Sequence, residues 1–545
     1  MFPYAEESFT EEEQAILRPY FTNVDLPVFA LVNLPEVVKG ALFARYSRSP
    51  KSLRRLFLDE FVGDLDLSGD LTFDATVGLR RAEELYEKVF FEYGDDSVAQ
   101  LGGVHLACEQ ASNLLTKILE WGRLMAYLEQ STRYLEYSAR LPSGHYRYYR
   151  PVEVLESALG ARYVGDMDRM FDSYAEMLPA AQAWLQTRYP QEPGDSDFVY
   201  RQAIRAKALD AVRGLLPAAS LSNLGIYGTG QSYEMLLLRM RSHPLPEARR
   251  YADLMLEELR KVIPSFLRRV DIAERGGEWS DYLATTRKDT ASVLARIWPD
   301  IMDPPVDLDE REVRLVDFDP EGEDKVVAAI AFANSTLSES EAMRRVAGLG
   351  HDEKVAILSA YVGERANRRH RPGRAFERTD YRFELVTDYG AFRDLQRHRI
   401  LTVEWQPLGP KLGSDVPAVI QEAGLEEHYA SIMERSSALY DDMREPFPEQ
   451  AGYAVSLAFR LRYVMQMNAR EAIHLIELRS GPQGHPSYRR VAQQMHAAIA
   501  RDAGHHAIAE AMSHVDHGSS DLERLESERR AEQRRGRAQA SLDIV

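Results

Sequence analysis

Cysteine is almost absent. Cys108 is the only one in 545 residues. A lone thiol closes no intrachain disulfide and builds no cysteine-rich metal site. Its setting, GGVHLACEQAS, is apolar, so it reads as buried core and not as a reactive thiolate. No apolar run approaches the roughly 18 residues that a membrane span needs. The N-terminus, MFPYAEESFTEEEQ, is acidic where a signal peptide is basic. Basic side chains are the minority, 67 against 85 acidic, for a net charge of -18. Phosphates would be repelled over most of such a surface, which argues against general nucleic-acid or membrane-surface binding. A small anion in a local arginine-lined pocket remains open. These absences describe a cytoplasmic protein.

What is present is long and written twice. A chain of 545 residues exceeds one ordinary core, so at least two domains are expected. Three segments recur in the same order. Phe29 to Phe57 resembles Val313 to Val346. Asp96 to Tyr134 lies over Arg374 to Gly409. Ala211 to Arg241 lies over Gly452 to Ser480. The sequence therefore divides into a first copy (1–283), a linker (284–312), a second copy (313–515) and a charged tail (516–545). The linker carries Pro304-Pro305 and an acidic cluster, typical of a boundary. The tail is dense in mixed charge and has no apolar face, so it reads as a solvated helix or disordered.

Most of the pattern is helical. ARRYADLMLEELRKVIPSFLRRV and SYRRVAQQMHAAIARDAGHHAIAEAM repeat apolar residues at three- and four-residue spacing. The stretch ending in YLEQSTRY (Tyr127 to Tyr134) also looks helical. Strand-like pieces are fewer, PVFALV and DYRFELVTDYG among them. The expected class is α+β, helix-rich around a small sheet, present twice.

Polar groups cluster at matching places in the copies. The first offers Glu129, Ser131, Arg133, Arg213 and Arg239. Guanidiniums and a hydroxyl suit a phosphate if they converge, since an arginine fork matches its geometry. Arginines at solvated helix ends are the other reading. The second copy offers Arg397-His398-Arg399, then Asn468 and Arg470 at a helix start, with His474 and Arg479 further along it. The loop RRHRPGR (Arg368 to Arg374) reads as a ligand-facing segment, a solvated loop or, least well, a nucleic-acid patch. His496, His505, His506, His514 and His517 match no standard metal spacing and read as a surface helix end. No metal site is expected.

Together these motifs resemble the flavin-dependent thymidylate synthase family. Its signature is R-H-R, seven residues, then S-x-R, often followed by Tyr; a later helix reads N-A-R and ends in Leu-Arg. Here the signature is divided. The first copy has Trp121-Gly122-Arg123 for R-H-R but keeps Ser131-Thr132-Arg133-Tyr134, with Glu129 at the family's acidic position. The second keeps Arg397-His398-Arg399 but has Pro407-Leu408-Gly409 for S-x-R. Asn468-Ala469-Arg470 and Leu478-Arg479 fit the late motif in the second copy. The first reads Gly228-Thr229-Gly230 there and keeps Arg239. The family arginine before Leu-Pro is Arg213 in the first copy and Tyr453 in the second.

The resemblance implies FAD held by Arg397, His398, Arg399, Asn468, Arg470 and His474. It implies dUMP held by Glu129, Ser131, Arg133, Arg213 and Arg239, with Arg479 catalytic. Methylenetetrahydrofolate, the folate partner, would supply the one-carbon unit and NADPH would regenerate the flavin. It also implies self-association, since family members are homotetramers with sites where subunits meet. Two fused chains pairing would make a homodimer with the form of a pseudo-tetramer. Two other functions stay open: a flavoprotein acting on another pyrimidine nucleotide, and a non-catalytic nucleotide-binding scaffold.

Overall fold

The computed structural model describes residues 7–34, 49–60, 103–301 and 311–518, with isolated positions outside these stretches. The tail beyond 518, the Pro304-Pro305 pair and the start of the second repeated segment (96–102) lie almost wholly outside the described residues. The fold is α+β, with two small four-stranded sheets. Among the described residues no helix is long and apolar enough to cross a membrane.

In the first copy β1 (Val28–Leu31) and β2 (Gly103–Ser112) lead into helix α1 (Asn113–Leu119) and β3 (Met125–Glu129). Helices α2 (Gly160–Arg188) and α3 (Asp197–Val212) follow. Then come β4 (Leu221–Thr229), α4 (Gly230–Arg241), α5 (Pro246–Arg260) and α6 (Glu278–Ile297). The second copy repeats the frame. It has β5 (Val313–Phe318), β6 (Asp380–Asp388), α7 (Tyr389–Leu395), β7 (Thr402–Trp405), β8 (Arg460–Asn468), α8 (Ala469–Arg479) and α9 (Pro486–Arg501). The sheets have the same antiparallel order, β1-β2-β4-β3 and β5-β6-β8-β7.

The same four junctions carry helix caps, which is why the elements end where they do. Ser112 caps α1 by accepting from the Leu115 amide at 3.0 Å. Asp388 caps α7 by accepting from the Ala391 amide at 2.9 Å. Thr229 caps α4 and Asn468 caps α8 in the same way. Each cap satisfies an amide that a first turn leaves without a partner, and its loss typically costs ~1 kcal/mol.

Two expectations change. YLE belongs to strand β3, and only Asn113–Leu119 of the stretch before it is helical. Strand β2 is central and largely buried on both faces. It therefore shows a near-continuous apolar run that periodicity does not separate from a helix. Second, His505 is not at the surface: it is 2% exposed and sits 2.7 Å from the Tyr381 hydroxyl. His506 and His517 are exposed, as expected. Both long helical patterns are also interrupted. The first stops at Arg260 ahead of Pro264, which offers no amide to a helix. The second stops at Arg501 ahead of Gly504, whose φ of 71° is left-handed.

By compactness the chain forms two units. One comprises residues 1–172, 217–307 and 438–454, and the other 173–216, 308–437 and 455–545. Each unit thus takes a segment from the other copy. In the first unit the borrowed segment brings Tyr453, whose carbonyl accepts from the Ala219 amide at 3.1 Å. In the second it brings Arg213 to Leu216, where Gly214 and Leu216 carbonyls accept from Ala458 and Leu457 amides at 3.1 and 2.9 Å.

These segments end on corresponding knots of side chains. In the first unit Glu247, at the start of α5, accepts from the Ser112 hydroxyl at 2.6 Å, the Ser112 amide at 2.9 Å and the Tyr453 hydroxyl at 2.6 Å. In the second unit the acid and the hydroxyl have changed places. Asp388 stands where Ser112 does, Ser487 stands where Glu247 does, and Ser487 donates to Asp388. Arg213 takes the place of Tyr453, with Nη2 3.7 Å from Asp388 Oδ1.

Burial pushes the Glu247 carboxyl up to about 7. A raised carboxyl favours the fold at pH below its unfolded value, and that contribution is lost as pH rises through the folded value. Wild type should therefore lose roughly 3 kcal/mol from this group between about pH 4.5 and 7. Glu247→Gln should lack this slope. Thermal unfolding from pH 5 to 8 should show the mutant gaining on wild type as pH rises. A constant difference would reject the assignment.

Candidate functional site

A polar cluster lies in the second unit, where the turn after α7 meets α8. Asp394, at the end of α7, is its hub. Arg397, one turn on, pairs with it directly. Arg213 Nη1 lies 3.6 Å from its Oδ2, and Arg479 is held under the same carboxylate's field. Three guanidiniums thus outnumber Asp394 and the neighbouring Asp388, which leaves the site positive. Arg213 is only 3% exposed and its Nη2 has no hydrogen-bond acceptor. A Cβ at residue 390 would lie 2.9 Å from Arg213 Nη2, so any larger residue there would have to displace the guanidinium.

His398 lies beside this hub, 7% exposed. Its Nδ1 is 3.0 Å from Glu471 Oε1, and Arg479 Nε donates to its Nε2 at 3.0 Å. Burial and the charges of Arg479, His474, Arg397 and Arg371 hold the imidazole well below its usual range, so it is neutral. His474 is likewise held down, to about 4, by burial and by Arg371 and Arg368. The loop 368–374 is not free of the site. Arg371 Nη2 lies 3.3 Å from His474 Nε2, and Arg470 Nε donates to the Pro372 carbonyl at 2.9 Å. Glu377 pairs with Arg470 at 3.2 Å and with Arg374 at 2.9 Å.

The family model for the thymidylate synthase complementing protein matches this chain twice, over residues 55–265 and 314–503. The chain belongs to that family. A UPF0159 protein of Chlamydia muridarum is 39% identical over 531 residues, 96% of this chain and 99% of that one. One from Chlamydia pneumoniae is 37% identical over 531 residues, 97% and 99% of the two chains. One from Thermoplasma acidophilum is 32% identical over 518 residues, 90% and 97%. These relatives span the whole two-copy chain. A solved chain described as a UMP/dUMP methylase from Streptomyces cacaoi bound with 5-Br dUMP covers 38% of this chain and 96% of its own. Its identity is 16% and its TM-score 0.30, a likeness too weak to argue from.

Within this member of the family the expected residues fall into two groups. Glu129, Ser131, Arg133 and Arg239 belong to the first unit. There Glu129 ends β3, buried and 3.2 Å from Lys117 Nζ. The Arg133 amide donates to Ser131 Oγ at 3.3 Å, and Arg133 is 7% exposed. Arg239 stacks over Trp121 with its guanidinium carbon 4.7 Å from the ring centre. Its Nε and Nη2 are buried without a hydrogen-bond acceptor. The second unit holds Arg397, His398, Arg399, Asn468, Arg470, His474 and Arg479, and with them Arg213. Arg213 shares Asp394 with Arg397, a flavin-motif residue.

Sequence reading missed Asp394 and Glu471. Asp394 stands one turn before Arg397, a spacing that pairs charges on any helix and so drew no notice. Glu471 stands three residues after the cap Asn468, where an acid reads as a capping-box partner. In the fold its carboxylate turns to His398 instead. His398, Glu471 and His474 bring one ligand atom each within 4.8 Å of one another. Arg371, Arg399 and Arg470 act on Glu471 from around this triad. That positive surround repels a cation and suits an anion.

Asp394 occupies part of the field that a bound anion would use. Asp394→Asn should therefore raise affinity for inorganic phosphate about three- to tenfold, near 1 kcal/mol. It should also lower the melting temperature of the unliganded protein, because guanidiniums lose their counter-charge. Calorimetric titration and thermal unfolding check both, and weaker phosphate binding would count against the hub.

Proposed function

We propose that the protein is an FAD-dependent thymidylate synthase. It would methylate dUMP reductively to dTMP, with methylenetetrahydrofolate as one-carbon donor and NADPH as the reductant. The observation that carries this reading is the hub at Asp394. Arg213 and Arg479, nucleotide-type residues in the family pattern, meet Arg397, a flavin-type residue, around one carboxylate. Groups for the two ligands are thus adjacent within one unit, as hydride delivery to a nucleotide-bound carbon requires.

The residues present fit FAD. Arg397, Arg399 and Arg470 are cationic donors suited to a pyrophosphate. Asn468 caps α8, and His474 lies further along the same helix. When bound, FAD supplies the hydride chemistry, and the protein supplies binding and orientation. His398, neutral and hydrogen-bonded on both ring nitrogens, is suited to hold groups in place and not to donate a proton. Ser131, Arg133 and Arg239, all within the first unit, would hold the phosphate of a nucleotide bound there. Among the described residues no carboxylate pairs with Arg239, and burial lowers its proton affinity, so a phosphate would be a strong partner. Cys108 is fully buried and its thiol is pushed far up, so it serves as no nucleophile. A cofactor-based route needs none. Self-association into a homodimer belongs to the same proposal.

Three experiments test this. The purified protein should be yellow, and Arg397→Ala with Arg399→Ala should strip most of the flavin. Full retention in the double mutant would reject the flavin assignment. Arg133→Ala should weaken dUMP binding by roughly 1.5–3 kcal/mol, about ten- to a hundredfold, and leave flavin content nearly unchanged. The gene should also rescue growth of a thymidine-requiring strain, and failure of a well-expressed copy to do so would reject the activity.

A further inference from the structure

Glu471 has no task in the family pattern and none in capping its own helix. It is 6% exposed on the first turn of α8, where only its backbone amide serves the cap, donating to Asn468 Oδ1 at 2.9 Å. Its carboxylate faces the His398 ring. The far side of that ring decides what the carboxylate does. Arg479 Nε carries a hydrogen and has no lone pair to accept with. At 3.0 Å from His398 Nε2 it can only donate, so Nε2 is the ring's lone pair. The single hydrogen of the neutral ring is then on Nδ1, and Glu471 Oε1 accepts it at 3.0 Å.

We propose that Glu471 is a positioning residue: it locks His398 as the Nδ1–H tautomer, and through the freed Nε2 it aims Arg479 at the anion site around Asp394. The inference rests on the reading that Arg479 holds the nucleotide. Without an acceptor at Nδ1 the ring can carry its hydrogen on Nε2. Two N–H groups would then face each other, and the buried guanidinium would turn away. This chain is a second-sphere device of the kind that fixes ring orientation at metal-bound histidines, here serving an arginine.

The surroundings favour the arrangement. Arg371 from the loop, Arg399 from the turn after α7 and Arg470 from α8 all act on Glu471, and burial lifts its carboxyl to about 7. His474 stands beside the ring on the same helix, 5.4 Å between centroids. Protonated or not, the carboxyl keeps one oxygen free to accept, so what Glu471 supplies is an acceptor and not a charge. That separates the substitutions. Glu471→Gln keeps a carbonyl oxygen, and Glu471→Leu keeps none.

The experiment uses the full-length protein with 15N-labelled histidine. The His398 signal is identified by its loss in His398→Gln. Wild type should show the Nδ1–H pattern. Glu471→Leu should shift it to Nε2–H and weaken dUMP binding about tenfold, and Glu471→Gln should recover most of both. In an Arg479→Ala background Glu471→Leu should weaken dUMP binding no further, because its effect runs through Arg479. An Nε2–H pattern in wild type, or a full additive loss in the double mutant, would overturn the proposal. Should Glu471→Leu fail to fold, the wild-type spectrum and Glu471→Gln decide alone. If wild type binds no dUMP, the functional reading fails, and the wild-type tautomer still supports or overturns the role of Glu471.

Discussion

One constraint governs both units: a buried carboxylate at the corner where a sheet strand ends and two helices begin must be fully partnered. An ionised carboxylate taken from water costs several kcal/mol unless hydrogen bonds and charges replace the lost hydration. The first unit meets this with neutral donors, Ser112 and Tyr453 around Glu247. The second meets it with Ser487 and a guanidinium, Arg213, at Asp388. The backbone follows from the same corner. Ser112 and Asp388 are also the caps that start α1 and α7. The choice of third partner then sets what each unit can do. A tyrosine closes the corner. An arginine has a second nitrogen to spare, and that nitrogen reaches Asp394.

The two copies diverge in chemistry along the same line. Where the second has Arg397 and His398, the first has Trp121 and Gly122. The late arginine answers accordingly. Arg479 hydrogen-bonds an imidazole, and Arg239 stacks on an indole. Stacking fixes a guanidinium's plane but leaves its edge donors unused. Hydrogen bonding to His398 uses Nε, and Tyr488 takes a further hydrogen bond from the same guanidinium. Both arrangements orient a buried cation without neutralising it, which is what an anion site requires.

The repeat was legible in the sequence, and so was the start of α8 at Asn468, a short polar residue ahead of helical periodicity. The motif residues of α8 were legible for the same reason. Strands β2 and β3 were not: β2 is buried on both faces and carries no alternation to read, and β3 is an edge strand of only five residues. Bulging hid β2 further. Its pairing with β4 shifts between Cys108 and Ala111, with Gln110 at a φ of 56°. Glu109, beside it, is buried against the Tyr46 hydroxyl at 3.0 Å. Asp394 and Glu471 were hidden because their local spacing has an ordinary helical explanation. The place of Arg213 beside Asp388 and Asp394 was not legible, because nothing local tells a reader which copy a segment will join. His505 looked solvated among other histidines, and only the tertiary contact with Tyr381 separates it from them.

The exchanged corner residues bear on how this gene can change. Tandem repeats tend to be homogenised by recombination between their halves. Here such a transfer would be penalised at a single codon. A tyrosine written over Arg213 would leave Asp388 and Asp394 without their shared cation. An aspartate written over Ser112 would bring a second acid against Glu247. Each half has become the only acceptable complement of the other. The fusion is therefore hard to reverse: neither half can be discarded and replaced by a duplicate of its sibling.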